Sequence, residues 1–323
     1  MRAFRHSQVV FAYALLTVFA VASCRTIGPP QPTEIPTATY TPRSTPLPTV
    51  ATPPSPGTTE NPIQLLFVRP AAVSRGVITN AANDLETILS ETTSLSVEIE
   101  IAETGADAVA ALCDSPGGVP AAAWVDGVTY AAARTCAERS LAVVREDGAG
   151  ADVSIIVPQS SEAETIRDLT GAIFCRVSVD DLYTWIVPAL ILQANSVSPT
   201  SLSEINDYED LGDLVSAVAA GDCDAAGINV AELESVGGSS RIRELGSPER
   251  VPYSILMISP SIPLGTRTAL NDALIGMAAD AVEAELLDPL LDQVRIAVIG
   301  EQELESWDAF LRRTRLDFSE MAR

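Results

Sequence analysis

The chain has 323 residues and a net charge of −23, and 20 % of its residues are charged. So acidic a polymer repels nucleic acid and anionic headgroups, which excludes a nucleic-acid-binding role. The single histidine, His6, precedes an apolar run read below as a removable signal, and the 20 basic residues are all arginine, so no imidazole base is expected in the mature chain and Schiff-base and Walker lysines are ruled out. Only chemistry with paired carboxylates, as in glycosidases, stays open to an enzyme. No enzymatic activity is expected.

The first element is an apolar run from Val9 to Ala22, preceded by Arg2 and Arg5. It is shorter than the roughly 20 residues that a membrane-crossing helix needs. Charged start and apolar middle are those of a secretory signal. Val21-Ala22-Ser23-Cys24 resembles the bacterial lipobox, a branched residue and two small ones before a cysteine. That reading makes 1–23 a signal peptide and Cys24 the lipidated first residue, held firmly by several acyl chains. An ordinary signal peptide with a chance cysteine is the alternative; spacing and small residues favour the lipobox.

Residues 24–62 then read as a stalk. From residue 25 on, this stretch holds 11 of the chain's 22 prolines and 10 threonines. Lacking large apolar side chains, it has no core to bury and favours extended, partly polyproline II backbone. At about 3.1 Å per residue its upper reach is on the order of 100 Å.

From Ile63 onward the pattern alternates. IQLLFV (63–68) is a strand, helical spacing runs over 73–90, LSVEIEIA (95–102) is a strand, and 106–112 a short helix. AAAWV (121–125) is a buried strand, followed by a helix over 129–134 and strands at SLAVVRE and ADVSIIVP. AIFCRVS (172–178) is a strand, 182–194 a helix, 202–205 a strand, 211–219 a helix and DAAGINV (224–230) a strand. This rhythm predicts an α/β fold of mostly parallel sheets, with ligands at the carboxyl ends of strands. The last stretch, 301–323, reads as an amphipathic helix with Leu304, Trp307, Phe310 and Leu311 on one side. It is expected to pack on the first lobe or across the back of the hinge, with Arg312, Arg313 and Arg315 complementing its dipole.

Asp168-Leu169-Thr170-Gly171 before AIFCRVS, and LVSAVAAGDCDAAGINV later, resemble the second lobe of type 2 periplasmic substrate-binding proteins. VPYSILMIS is similar to their return crossing, and the layout is nearest to the phosphonate-binding branch served by ABC transporters. The resemblance implies two Rossmann-like lobes joined by a two-crossing hinge: 63–157 plus 253–300 as lobe one, 158–252 as lobe two. Crossings are expected at 157–160 and 250–252. It further implies a monomeric, extracytoplasmic lipoprotein that binds a small molecule for an ABC permease, without a cofactor or metal. A sensory lipoprotein of the same fold, working with a sensor kinase, is the second reading.

The four cysteines beyond Cys24 allow three connectivities. Under the two-lobe layout, Cys113 is expected with Cys136 and Cys175 with Cys223. The resemblance also implies ligand contacts at Arg69, Asp126, Gly127 and Tyr130 in lobe one. In lobe two and the hinge it implies Ser178, Asp181, Tyr183, Thr184, Trp185, Asn229 and Tyr253. One departure stands out: the phosphonate branch has a small hydroxyl-rich loop where this chain has Asp181-Leu182-Tyr183-Thr184. A carboxylate there repels an anion and suits an amine or sugar hydroxyl. Trp124 and Trp307 are read as packing residues.

The anchor generates one prediction: Cys24→Ala should abolish incorporation of labelled fatty acid and release the protein from membranes or leave it unprocessed. A variant that is still acylated and membrane-bound would refute the lipobox.

Overall fold

The computed structural model describes residues 54–70, 73–113, 119–236, 240–292 and 295–318. The signal, Cys24 and the stalk up to residue 53 lie outside them. The elements in order are β1 (Ile63–Val68), α1 (Arg75–Thr93), β2 (Val97–Ala102), α2 (Gly105–Cys113), β3 (Ala121–Val125), α3 (Gly127–Ala133) and β4 (Glu138–Val144). Then come β5 (Gly150–Pro158), β6 (Ile173–Arg176), a π-turn (Leu182–Ile186) running into α4 (Val187–Ala194), β7 (Glu204–Asp207), α5 (Leu211–Ala220), β8 (Ala225–Asn229) and α6 (Val230–Ser235). The chain closes with β9 (Ile242–Glu244), β10 (Glu249–Pro252), β11 (Ile255–Ile258), α7 (Leu264–Ala279), α8 (Ala281–Leu291), β12 (Arg295–Val298) and α9 (Glu301–Thr314).

Two sheets result. The first has the order β12-β4-β11-β3-β1-β2, and the second β10-β5-β8-β6-β7 with β9 beside β5. Both are mixed. β1 runs parallel to β2 and β3, and β6 parallel to β7 and β8. β11 and β5 return antiparallel to β3 and β8, because the strands that carry the chain between sheets must run back. The centre strands β3 and β8 are buried at every residue, which is why their sequences are continuously small and apolar.

Helix ends follow local chemistry. Gly221 ends α5 with φ of 84°, a left-handed conformation that glycine adopts without a Cβ penalty, while Asp210 caps its start through Asp213 N–H at 2.9 Å. On α1, Ile78, Ala81, Ala82, Leu85 and Leu89 form the buried stripe at helical spacing. Cys113 is joined to Cys136 and Cys175 to Cys223, with Cα separations of 5.3 and 6.0 Å, each bridge within one lobe as expected.

Three boundaries differ from the sequence reading. β5 belongs to the second sheet, so the first crossing runs through residues 145–149 and not 157–160; the return crossing is Tyr253-Ser254. These crossings are bonded to each other and to β4, Tyr253 N–H donating to Ala149 O at 3.1 Å and Val143 N–H to Ser254 O at 2.9 Å. A Cβ on Gly150 would lie 2.4 Å from the Val251 carbonyl oxygen, so only glycine lets the strands approach so closely. The folded body also begins before Ile63. Gly57, buried and at φ of 86°, takes an N–H···O bond to Asn61 and accepts one from Ser96 at 2.8 Å, which docks 54–62 on the amino ends of β1 and β2. Lastly, α8 and β12 extend the first lobe where no element was read.

α9 takes the second of its two expected placements and spans both lobes: Trp307 donates its indole N–H to Gly127 O at 2.8 Å in the first lobe. Arg139 pairs with Glu301 at 3.0 Å, and Arg134 with Asp308, on the same side. On the second lobe it packs against α4 and β10, and Arg313 is drawn to Glu249 at 2.5 Å, so this arginine serves an ion pair as well as the helix end. One apolar cluster runs from Val125 and Tyr130 through Trp307, Phe310 and Leu311 to Phe174, Val187 and Ile191. Trp307→Ala should therefore cost about 3–5 kcal/mol, the usual range for deleting a buried aromatic, read by urea denaturation. A loss under about 1 kcal/mol would mean that α9 rests on a core complete without it.

Candidate ligand site

Arg69, Asp126 and Asp181 follow the carboxyl ends of β1, β3 and β6, and Asn229 ends β8. On the lobe-one side lies a cavity of about 260 Å³ lined by Arg69, Trp124, Asp126, Ser254, Leu290 and Asp292. Trp124 is 2 % exposed. Its indole nitrogen, like Arg69 Nε, is buried without a hydrogen-bond partner among the described residues. Such groups cost about 1–3 kcal/mol when left unmade. Arg69 Nη1 donates to Glu103 Oε2 at 3.3 Å. Trp124 is a packing residue, as read, but it also forms the cavity wall.

Asp126 opens α3. Its Oδ1 accepts from Val128 N–H (2.7 Å) and Thr129 N–H (2.8 Å), and its Oδ2 from the Thr129 hydroxyl (2.9 Å). Asp181 opens the π-turn in the same way: Oδ1 accepts from Tyr183 N–H (3.0 Å), Thr184 N–H (2.6 Å) and the Thr184 hydroxyl (2.8 Å). Both are capping carboxylates first.

Tyr183 reaches from the π-turn toward the first lobe and packs against the apolar clusters on both sides. Arg145, Tyr253, Glu232 and Asp126 lie within electrostatic reach of its hydroxyl, and burial pushes that hydroxyl well above its ordinary pKa. Asn229, at the end of β8, donates to Glu232 Oε1 at 3.2 Å and accepts from Ala231 N–H at 3.2 Å. Glu232 keeps solvent contact as a residue, yet loss of water around its carboxyl raises its pKa, with Asp181 adding to the effect and the Asn229 bond opposing it.

The hinge supplies the rest. Tyr253 donates to Asp147 Oδ2 at 2.8 Å, and the Arg145 guanidinium lies 4.2 Å above its ring. Arg145 also pairs with Asp292 at 2.7 Å, at the carboxyl end of α8. Arg145 and Glu232 were missed from sequence. The signal for Arg145 is its position on the crossing, visible only once β5 is assigned to the second sheet.

Five expected contacts sit elsewhere. Tyr130 is buried beneath α9, with Asp308, Arg134 and Arg139 as its charged neighbours; the helical turn that follows Asp126 rotates it away from the cavity. Trp185 packs edge-on against Phe174, with centroids 5.8 Å apart, and lies under Arg176 at 4.7 Å, so its ring serves the second lobe's own core. Thr184 is buried and bonds Asp181 and Val177 N–H. Ser178 closes the turn before the π-helix by accepting from Asp180 N–H. Gly127 belongs to the joint between lobes: its Cβ would lie 3.0 Å from Pro252 Cδ and 3.4 Å from the Trp307 indole nitrogen.

With this geometry in view, a family profile for the periplasmic substrate-binding protein of phosphonate ABC transporters matches residues 69–302. The chain belongs to that family. Its members are solute-binding proteins of ABC transporters, extracytoplasmic and not enzymes. Among solved structures, XAC2383 from Xanthomonas citri bound to ATP is similar at 12 % identity and TM-score 0.60, over 78 % of this chain and 97 % of that one. PhnD1 from Prochlorococcus marinus in complex with methylphosphonate gives 12 %, 0.52, 78 % and 98 %. A binding protein component of an ABC phosphonate transporter from Pseudomonas aeruginosa gives 15 %, 0.50, 81 % and 97 %. At such identities these structures share the fold alone. No curated protein matches the chain. Among the described residues no helix is long and apolar enough to cross a membrane.

The hinge carries a pH prediction. Burial, followed by the bond to Asp147, pushes the Tyr253 hydroxyl up to about 12. A raised folded-state value means that its stabilisation is complete below about pH 10, the ordinary tyrosine value, and is lost as pH rises toward about 12. Ultraviolet titration should therefore show one fewer high-pH tyrosine transition in Tyr253→Phe. Loss of a transition near the ordinary tyrosine value of about pH 10 instead would place the hydroxyl in water.

Proposed function

We propose that this family member is a lipid-anchored receptor that captures a small polar solute between its lobes and delivers it to an ABC permease. Cys24 is the anchor, the Pro/Thr-rich stretch the tether, and the body works as a monomer. The single observation behind the site is the convergence of strand ends from both sheets on Asp126, Asp181, Tyr183, Asn229 and Arg145, next to two crossings that bond to each other. Short crossings absorb a dihedral change while each sheet stays rigid, which is how hinge closure works. Asp181 keeps Oδ2 for a ligand donor, Tyr183 and Tyr253 supply aromatic surface, and Arg69 and Trp124 supply donors from the lobe-one cavity. A sensory role beside a kinase would use the same closure, and nothing in the site favours it.

Native mass spectrometry of the protein as purified should show a co-purifying small molecule, and calorimetry with that molecule should give one site. Tyr183→Ala should weaken it at least about tenfold, and Asp181→Asn by roughly the same factor, the loss of one charge-assisted hydrogen bond. Melting curves for each variant keep folding separate from binding. Full affinity in both folded variants would remove the second lobe from the site.

A further inference from the structure

The two elements that open toward the gap, one per lobe, carry the same four-residue device. Asp126-Gly127-Val128-Thr129 and Asp181-Leu182-Tyr183-Thr184 each place a carboxylate over two consecutive amide N–H groups and a threonine hydroxyl. Those donors are the ones that helix starts offer to phosphate, sulfate or phosphonate. Here the chain's own oxyanion already takes them, once on each side. A second anion would find no free amide there and a full negative charge a few ångströms away.

The surroundings do not offset that charge. Glu232 and Asp292 add two more carboxylates, Arg145 is already paired with Asp292 and stacked on Tyr253, and Arg69, whose Nε has no partner among the described residues, is paired through Nη1 with Glu103. Trp124, 2 % exposed, lines the adjoining cavity with an indole N–H that has no acceptor among the described residues. The site therefore offers carboxylates to donors and an indole to one acceptor.

Resting on the receptor reading above, we propose that Asp126 and Asp181 determine specificity by occupying both oxyanion positions. The cleft then rejects phosphonates and phosphate and takes a small amine- or hydroxyl-bearing solute, neutral or cationic, that also presents one acceptor to Trp124. The class is set by charge and by what the amides already hold. It is not set by the size of the gap.

The test uses Asp126→Ser, Asp181→Ser, the double variant and the isosteric Asp181→Asn. Serine retains a capping hydroxyl, so the helix starts stay formed, and melting curves identify folded variants. Calorimetry with methylphosphonate and inorganic phosphate should give the wild-type protein no affinity stronger than about 10 mM, while the double variant gains at least about tenfold. Putrescine, choline and glucose serve as donor-bearing probes beside the solute recovered from the native protein. Micromolar methylphosphonate binding by the wild type would overturn the proposal and leave the receptor reading intact. A folded double variant no better at binding anions than the wild type would also overturn it. So would a recovered solute that is an oxyanion lacking amine and hydroxyl. Absence of any bound solute would count against the receptor reading, while the variant comparison still decides the role of the two aspartates.

Discussion

The bond from the Trp307 indole to the Gly127 carbonyl, at 2.8 Å, is the constraint on which the arrangement of the two lobes depends. Gly127 is the residue after the Asp126 cap and stands against Pro252, where the second lobe's last strand ends. A helix from the end of the sequence thus meets the lobe-one site and the hinge at one point. The same helix continues the apolar core of both sheets, from Tyr130 to Val187. The two lobes are therefore joined along a packed helix as well as through two crossings.

The electrostatics of the cleft follow from the way the elements start. In many α/β proteins a strand hands over to a helix through glycines, and exposed amides wait for a phosphate. Here aspartate does the handing over at α3 and at the π-turn, so the local folding problem is solved inside the chain. The consequence is that the amides at both of these starts are satisfied from within the chain, while the Trp124 indole and Arg69 Nε are left without a partner among the described residues. The cleft's remaining polarity is mostly that of carboxylates and tyrosine hydroxyls. Burial raises the pKa of both hydroxyls, and that of Tyr253 already donates to Asp147.

The two-lobed fold, the lobe-by-lobe disulfides and most elements were legible in the sequence, because apolar periodicity and the small-residue strands AAAWV and AAGIN report burial directly. Which sheet a strand joins is another matter. ADVSIIVP has the same pattern in either lobe, and pairing with β8 and β10 is a long-range fact. The α8 helix was hidden by Pro289, which normally argues against helix interior, and β12 is only four residues long. Within the site, Asp126 and Asp181 stand out in sequence because each follows a strand and precedes a threonine by three. Trp185 and Tyr130 do not declare their direction, since a half turn of helix decides between cleft and core. Glu232 and Arg145 are ordinary charged residues until tertiary structure sets them beside Tyr183.

The Gly57 turn has a geometric consequence. It fastens the start of the body to the amino ends of β1 and β2, whereas the cleft lies at their carboxyl ends. Six residues of strand at 3.3 Å each separate the two poles by roughly 20 Å. The turn therefore sets residue 54 at the pole of the first sheet opposite to Arg69 and Asp126, the residues that follow the carboxyl ends of β1 and β3.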